Sequence, residues 1–293
     1  MKRIIIKDLG NQILNRTADT ELLDWWRAGA TNLIPKNSDG DPRPITMLNT
    51  SWKVFSIIIH LYISPYLEKI IHPNQLARSK RWIHEAHVLL TRAIDQKLSL
   101  LCIDFEKAYD STKHDLIEEV IFHITEDEYW VYIIRLFLEL TTIILNSYSK
   151  GKKFTFRNGI PQGGILSTFL FNLFLLPLFY LIQVLLGVRL DGVFIEPLIS
   201  FVDDLMYYFK FMSDLEIFRT LLSEFTIISG LVVNEFKTFI INATHSDFPS
   251  PTKFKYLGIH YISNTGLPDW ELLLEKISKD IKIIMVRFRR KYY

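Results

Sequence analysis

The hydrophobic and polar positions alternate between short apolar runs and longer helical ones, a pattern that predicts a mixed α+β chain. Leu33 to Lys36 and Arg43 to Leu48 are strand-like and are joined by Asn37-Ser38-Asp39-Gly40-Asp41-Pro42, so they predict a β-hairpin. Trp52 to Ile71 is too continuously apolar for an exposed helix, and Ala86 to Ile94 reads as a helix with one buried face. Leu98 to Ile103 has strand length and stops on Asp104. Thr112 with Asp115 three residues on has capping-box spacing and predicts a helix running to about Ile124. Leu198 to Val202 and Leu205 to Phe211 flank Asp203-Asp204, predicting a second hairpin with both acids in its turn. Trp270, Leu273, Leu274, Ile277, Ile281, Ile284 and Phe288 fall on one helical face near the end.

The uncharged stretch from Asn158 to Val188 is the ambiguous one. From Phe169 to Leu186 it is almost wholly apolar and has the length of a membrane span. Asn172, Pro177 and Gln183 interrupt it, and a Pro-Gln-Gly-Gly turn opens it, so a buried core helix is the expected form and no membrane partner is expected.

Composition narrows the class without naming a partner. With 49% hydrophobic and 23% charged residues over 293 positions, the chain can bury a large core, which excludes intrinsic disorder and collagen-like repeats. A net charge of +2 is too mild to demand a polyanion. The single cysteine, Cys102, forms no internal disulfide and is expected as a small buried hydrophobe in a reducing compartment. The start, MKRIIIKDLGNQ, has only three consecutive apolar residues before Lys7, too few for a signal-peptide core.

The informative chemistry is carboxylate. Asp104 ends one apolar strand and Asp203-Asp204 follow another about a hundred residues later. Acids set against so much apolar surface are costly unless protonated, paired or bound to metal. If the two strands lie side by side, Asp104 and Asp203 converge, and such carboxylates suit two Mg²⁺ ions about 4 Å apart, as in phosphoryl transfer.

These residues carry a family resemblance. CIDFEKAYDS around Asp104, NGIPQGGILS from Asn158 to Ser167, and FVDDL from Phe201 to Leu205 resemble motifs A, B and C of reverse transcriptases, in the family's order. LIPK and RPITMLNTSWK are similar to the fingers motifs, GLVVNEFKT to motif D, and FKYLGIHY to motif E, so the resemblance spans about Trp25 to Tyr261. RPITMLNT is most similar to non-LTR retrotransposon enzymes, and IPQGG is closer to group II intron versions.

The resemblance implies an α+β right-hand polymerase with an antiparallel palm sheet. Residues 1–96 would form fingers with a triphosphate-binding hairpin, 97–120 palm with motif A, and 121–157 a return to the fingers. Residues 158–262 would form palm with motifs B to E, and 263–293 the start of a thumb limited to its first helix. It implies RNA-directed DNA synthesis from dNTPs, with an RNA template, a DNA primer and two Mg²⁺ ions, Mn²⁺ being an alternative. The remainder of a retroelement polyprotein would be a further partner. The location would be intracellular, nuclear for a eukaryotic retrotransposon and otherwise cytoplasmic. Two other readings stay open: an RNA-dependent RNA polymerase, for which Asp110 would recognise ribose, and a catalytically inactive nucleic-acid-binding remnant.

Residue roles follow from the same resemblance. Asp104 and Asp203 would be the main metal ligands and Asp204 a secondary one. Lys237 would protonate the leaving pyrophosphate. Lys36 and Arg43 would hold the triphosphate. Phe105 and Tyr109 would bound the nucleotide site, Tyr109 as the aromatic gate beneath the sugar. Gln162 and Gly163 would lie against the nascent base pair, and Tyr256, Leu257 and Gly258 would support the primer end. Lys150, Lys152, Lys153 and Arg157, then Arg78, Lys80 and Arg81, then Arg287 to Lys291, are candidate phosphate contacts.

Overall fold

The computed structural model describes all residues except 1–9, 37–39, 78–80, 147–148, 163, 186–187, 191, 244–246, 280 and 282–293. A short helix at 10–14 (α1) and α2 (Thr20–Trp26) lead into β1 (Ala28–Lys36) and β2 (Gly40–Leu48). Helices α3 (Thr50–Leu67) and α4 (Ile83–Asp95) precede β3 (Ser99–Ile103), the four-residue helix α5 (Ala108–Ser111), α6 (His114–Thr125) and α7 (Glu128–Leu138). Strands β4 (Thr141–Asn146) and β5 (Ser149–Thr155) follow, then the long α8 (Ile165–Leu185) and the small hairpin β6 (Val188–Leu190) with β7 (Val193–Ile195). Strands β8 (Leu198–Phe201) and β9 (Asp204–Phe209), α9 (Met212–Ser229), β10 (Phe239–Ile241), β11 (Lys253–Tyr256), β12 (Ile259–Ile262) and a helix over residues 270–279 (α10) complete the order.

Among the described residues, two four-stranded sheets carry most of the strands, beside the small β6–β7 and β11–β12 hairpins. The first, β2-β1-β4-β5, contains the predicted hairpin, with Ile34 paired to Arg43 and Lys36 to Gly40, and adds β4 parallel to β1. Across three of its strands the hydroxyls of Thr46, Thr31 and Thr142 form a buried relay of two 2.9 Å hydrogen bonds. That relay satisfies polar groups which would otherwise cost the sheet its burial.

The second sheet, β10-β3-β9-β8, is wholly antiparallel. Its apolar strands are covered on both faces, and the strand period of two divides their side chains. Leu101, Ile103, Leu205, Tyr207 and Phe209 join one core with α8 and α9, where Tyr207 stacks on Phe218 at 3.8 Å between ring centres. Leu100, Cys102, Met206 and Tyr208 join the other with α4 and the β11–β12 hairpin. Cys102 is buried there as expected, and burial pushes its thiol far up from its ordinary value.

Helix α8 is long and apolar enough to cross a membrane by length and composition, yet 72% of its Ile165–Ile182 window is buried inside the protein. The side chain of Gln75 donates to the Asn172 carbonyl at 2.7 Å, and Asn172 Nδ2 donates to the Ala77 carbonyl at 2.9 Å, lashing residues 75–77 to the helix. The core-helix expectation accounts for α8.

Two local expectations need correction. Thr112 does not cap α6, which starts at His114 behind Lys113. Its hydroxyl donates to the Ala108 carbonyl at 3.0 Å and closes α5 instead. The reason is tertiary: Lys113 bridges to Asn158 and the Gly159 N–H donates to the Thr112 carbonyl at 2.7 Å, drawing 112–113 into extended form. The acids of the second hairpin are also divided. Asp203 sits in the turn with Val202, whereas Asp204 opens β9 paired to Phe201.

Candidate active site

The pairing of β3 with β9 runs Ser99↔Phe209 to Ile103↔Leu205, so one step further along places Asp104 opposite Asp204. Residues opposed in an antiparallel pair lie about 5 Å apart at Cα. The two-residue turn adds Asp203 and holds Val202 at φ +61, a left-handed conformation that costs a β-branched residue about 1–2 kcal/mol.

Asp204 feels the charge of both other acids. Although Asp204 keeps a solvent-exposed edge, the surrounding protein, then the charges of Asp203 and Asp104, push its carboxyl up to about 6. Tyr109 belongs to the same neighbourhood. Burial first, with Asp203 adding, pushes its phenol up to about 12 against an opposing hydrogen bond from Thr168. Its ring stacks on Phe171, with centroids 4.9 Å apart and planes at 22°.

The other side of Asp104 is held by residues 232–238. The Asn234 N–H donates to the Asp104 carbonyl at 2.8 Å, the Glu106 N–H to the Val232 carbonyl at 2.8 Å, and the Asp104 N–H to Thr238 Oγ1 at 3.3 Å. Lys237, carried on that turn, brings Nζ to 3.4 Å from Asp104 Oδ2. Lys237, Asp104, Asp204 and Tyr256 then line one cleft of about 440 Å³. A second cleft of about 460 Å³, lined in part by His60, Glu68, Arg81, Thr168, Asn172 and Val202, lies on the α3–α8 side of the turn. Burial lowers His60 there, with Glu68 opposing.

Residues 158–164 reach this centre through backbone. Gly159 has φ +87, and a Cβ there would meet the Asp110 carbonyl oxygen at 2.9 Å. The Ile160 N–H donates to the Tyr109 carbonyl at 2.7 Å, and His114 Nε2 meets the Gly159 carbonyl at 2.8 Å. The Gln162 carbonyl accepts from Thr46 N–H at 3.3 Å, joining this loop to β2. Gly163 lies outside the described residues.

The remaining expected residues divide clearly. Phe105 is buried in the core, its backbone bridged to Val233. Lys36 and Arg43 are placed by backbone alone, their side chains lying outside the described residues. Tyr256 is buried, its phenol pushed up by burial, and its hydroxyl has no hydrogen-bond partner among the described residues. Leu257 and Gly258, at φ +44 and +89, turn the β11–β12 hairpin, and Gly258 lines a separate hollow with His260 and α10. Asp110 is half-buried, and burial raises its carboxyl against the pull of Lys107. Arg81 pairs with Glu85 and Lys153 with Asp24, while Arg157 is exposed. Arg78, Lys80 and 287–291 lie outside the described residues, as do the side chains of Lys150 and Lys152.

Among the described residues no three His, Cys, Asp or Glu side chains are already gathered in metal-ligand geometry. The donor chemistry nevertheless fits hard divalent cations: the charges of Asp203 and Asp104 both reach Asp204, and a lysine cation already sits beside Asp104. Thr238, Asn234, Thr168 and Phe171 join the site through contacts that the sequence alone does not signal. Thr238 and Asn234 stand within GLVVNEFKT, yet nothing local signals that both bond to Asp104, which for Thr238 lies 134 positions away.

Comparison with known proteins agrees with this geometry. The reverse transcriptase (RNA-dependent DNA polymerase) family model matches residues 34–261. A 149 kDa protein of transposon TX1 from Xenopus laevis is 25% identical over 83% of this chain and 20% of its own length. A Pol polyprotein from the type-1 retrotransposable element R2 of Popillia japonica is 28% identical over 62% of this chain and 27% of its own length. Both are non-LTR retrotransposon proteins, in line with the RPITMLNT wording, and the likeness of IPQGG to group II intron enzymes rests on that motif alone. This chain thus spans about a fifth to a quarter of the relatives it matches. Among solved structures, telomerase from Candida albicans in complex with a fragment of telomeric RNA superposes with TM-score 0.65 at 12% identity, over 86% of this chain and 46% of that one. Apo telomerase from Candida tropicalis, truncated from its C-terminal domain, gives 0.59 at 15%, over 84% and 55%. At those identities the likeness speaks to the fold, which is the α+β right-hand polymerase fold. With most of its length matched and its acids meeting at one sheet edge, the chain belongs to the reverse transcriptase family.

Proposed function

We propose that this chain is an RNA-directed DNA polymerase of a non-LTR retroelement, adding dNTPs to a DNA primer on an RNA template. The observation that carries the proposal is the register that sets Asp104 opposite Asp204, with Asp203 in the adjoining turn. Asp104 and Asp203, with Asp204 beside them, would hold two Mg²⁺ ions, which when bound lower the barrier to attack by the primer hydroxyl and neutralise the triphosphate. Tyr109, propped by Phe171 and Thr168, bounds the nucleotide site where a ribose 2′-hydroxyl would fall. The Gln162 segment, fastened to β2, abuts the new base pair. Lys237, beside Asp104, would give a proton to the departing pyrophosphate. The sheet β2-β1-β4-β5 corresponds to the fingers, and β10-β3-β9-β8 to the palm. The β11–β12 hairpin would support the primer end.

The test is extension of an oligo(dT) primer on poly(rA) with Mg²⁺, comparing dTTP with UTP, for the parent chain and Tyr109→Ala. The parent is expected to prefer dTTP, and Tyr109→Ala to relax that preference by about 10- to 100-fold, the scale set by one excluded group. A parent that prefers UTP refutes the assignment in favour of RNA synthesis. A chain that binds primer-template and adds neither is an inactive remnant.

A further inference from the structure

The ion pair between Lys237 and Asp104 is built into the backbone. The Asn234 carbonyl accepts from both Lys237 N–H (3.1 Å) and Thr238 N–H (2.8 Å), which fixes the turn that bears the lysine. The same turn is bonded to Asp104 on both sides of its Cα, through Asn234 N–H and through the buried Thr238 hydroxyl. The lysine is therefore tethered to the strand end whose carboxylate it meets, and only its side chain is left to move.

Asp204 lines the same cleft, so the cation stands near a second acid. The Lys237 side chain is 58% exposed and that of Asp104 39%, and a pair so open to water is weak enough to exchange for a stronger cation. Asp104 cannot serve both at full strength, because a divalent ion seated on its oxygens would repel an ammonium group at 3.4 Å.

Building on the metal-binding role read above for these acids, we propose that Lys237 is their resident counter-ion. It neutralises Asp104 while the site is empty and must leave before a divalent cation can enter, so the 234–238 turn sets the threshold for metal loading. Released from Asp104, the same ammonium becomes free to face a phosphate, which makes metal entry and phosphate contact successive states of one side chain.

The test needs no turnover. Mn²⁺ binding to the full chain, without nucleotide or nucleic acid, is followed by the loss of the free-ion electron paramagnetic resonance signal. Lys237→Met is expected to lower the Kd for Mn²⁺ about two- to fivefold, the scale of one exposed ion pair, and Lys237→Arg to keep the parent value. Lys255→Met, in the same cleft, is expected to leave it unchanged. Asp203→Asn should weaken Mn²⁺ binding in all backgrounds. If Lys237→Met binds no more tightly while Asp203→Asn still weakens binding, the counter-ion role alone is overturned. Equal tightening by Lys255→Met overturns it as well, because a general field would explain both. If Asp203→Asn leaves binding intact, the ion sits elsewhere and the metal-binding role falls too.

Discussion

The buried hydroxyl of Thr238 accepts a hydrogen bond from the backbone N–H of Asp104 at 3.3 Å. Strand β3 has β9 on one side, so this bond and its neighbours from 232–234 anchor the other side of the acid. Thr238→Val keeps the shape and removes the acceptor, which should cost about 1–2 kcal/mol of stability in urea denaturation. It should also slow single-turnover primer extension about three- to tenfold by loosening Asp104, with Thr238→Ser restoring both. Equal rates for Thr238→Val and the parent would show that the bond does not position the acid.

Much of this centre was legible before any coordinates, and the reason is instructive. Strands β3, β8 and β9 are short apolar runs cut off by acids, and β-sheet burial on both faces makes such runs conspicuous. The hairpin β1–β2 was readable from its Gly/Pro/Asn/Asp turn, and α8 from its apolar length. What escaped was non-local. The parallel pairing of β1 with β4 joins residues more than a hundred positions apart, and Thr238, Asn234 and Thr168 act through bonds that no spacing rule encodes. Thr112 misled for the same reason: its local capping pattern is overridden by the bridge from Lys113 to Asn158.

Asp204 predicts an unusual dependence of stability on pH. Its carboxyl titrates near 6 in the folded protein against an ordinary 3.8, so between those values the folded state holds a proton that the unfolded chain has lost. More protons in the folded state mean that stability falls as pH rises through this window. Thermal melting without divalent ions should therefore show Asp204→Asn stabilising the chain relative to the parent more at pH 7 than at pH 4. The same gain at both pH values would mean that Asp204 is not strained by its neighbours.

Gly159 sets the approach of the 158–164 loop to α5. At φ +87, with the backbone of Tyr109 and Asp110 within about 3 Å of any added Cβ, alanine must displace main chain. Gly159→Ala is expected to destabilise the protein by about 2–4 kcal/mol, from the left-handed strain together with the overpacking. A shift in urea midpoint worth less than about 0.5 kcal/mol, the usual effect of a surface substitution, would contradict this packing.

The central claim is that acids at the end of β3 and in the β8–β9 turn form one catalytic centre. Its most direct measurement is single-turnover extension of a DNA primer on an RNA template with saturating dNTP and Mg²⁺, using the parent, Asp104→Asn and Asp203→Asn. Each substitution is predicted to slow incorporation by at least about 10³-fold, the cost of losing a group that stabilises charge in the transition state, while primer-template binding on a gel is kept. Incorporation at the parental rate by either variant would contradict the account.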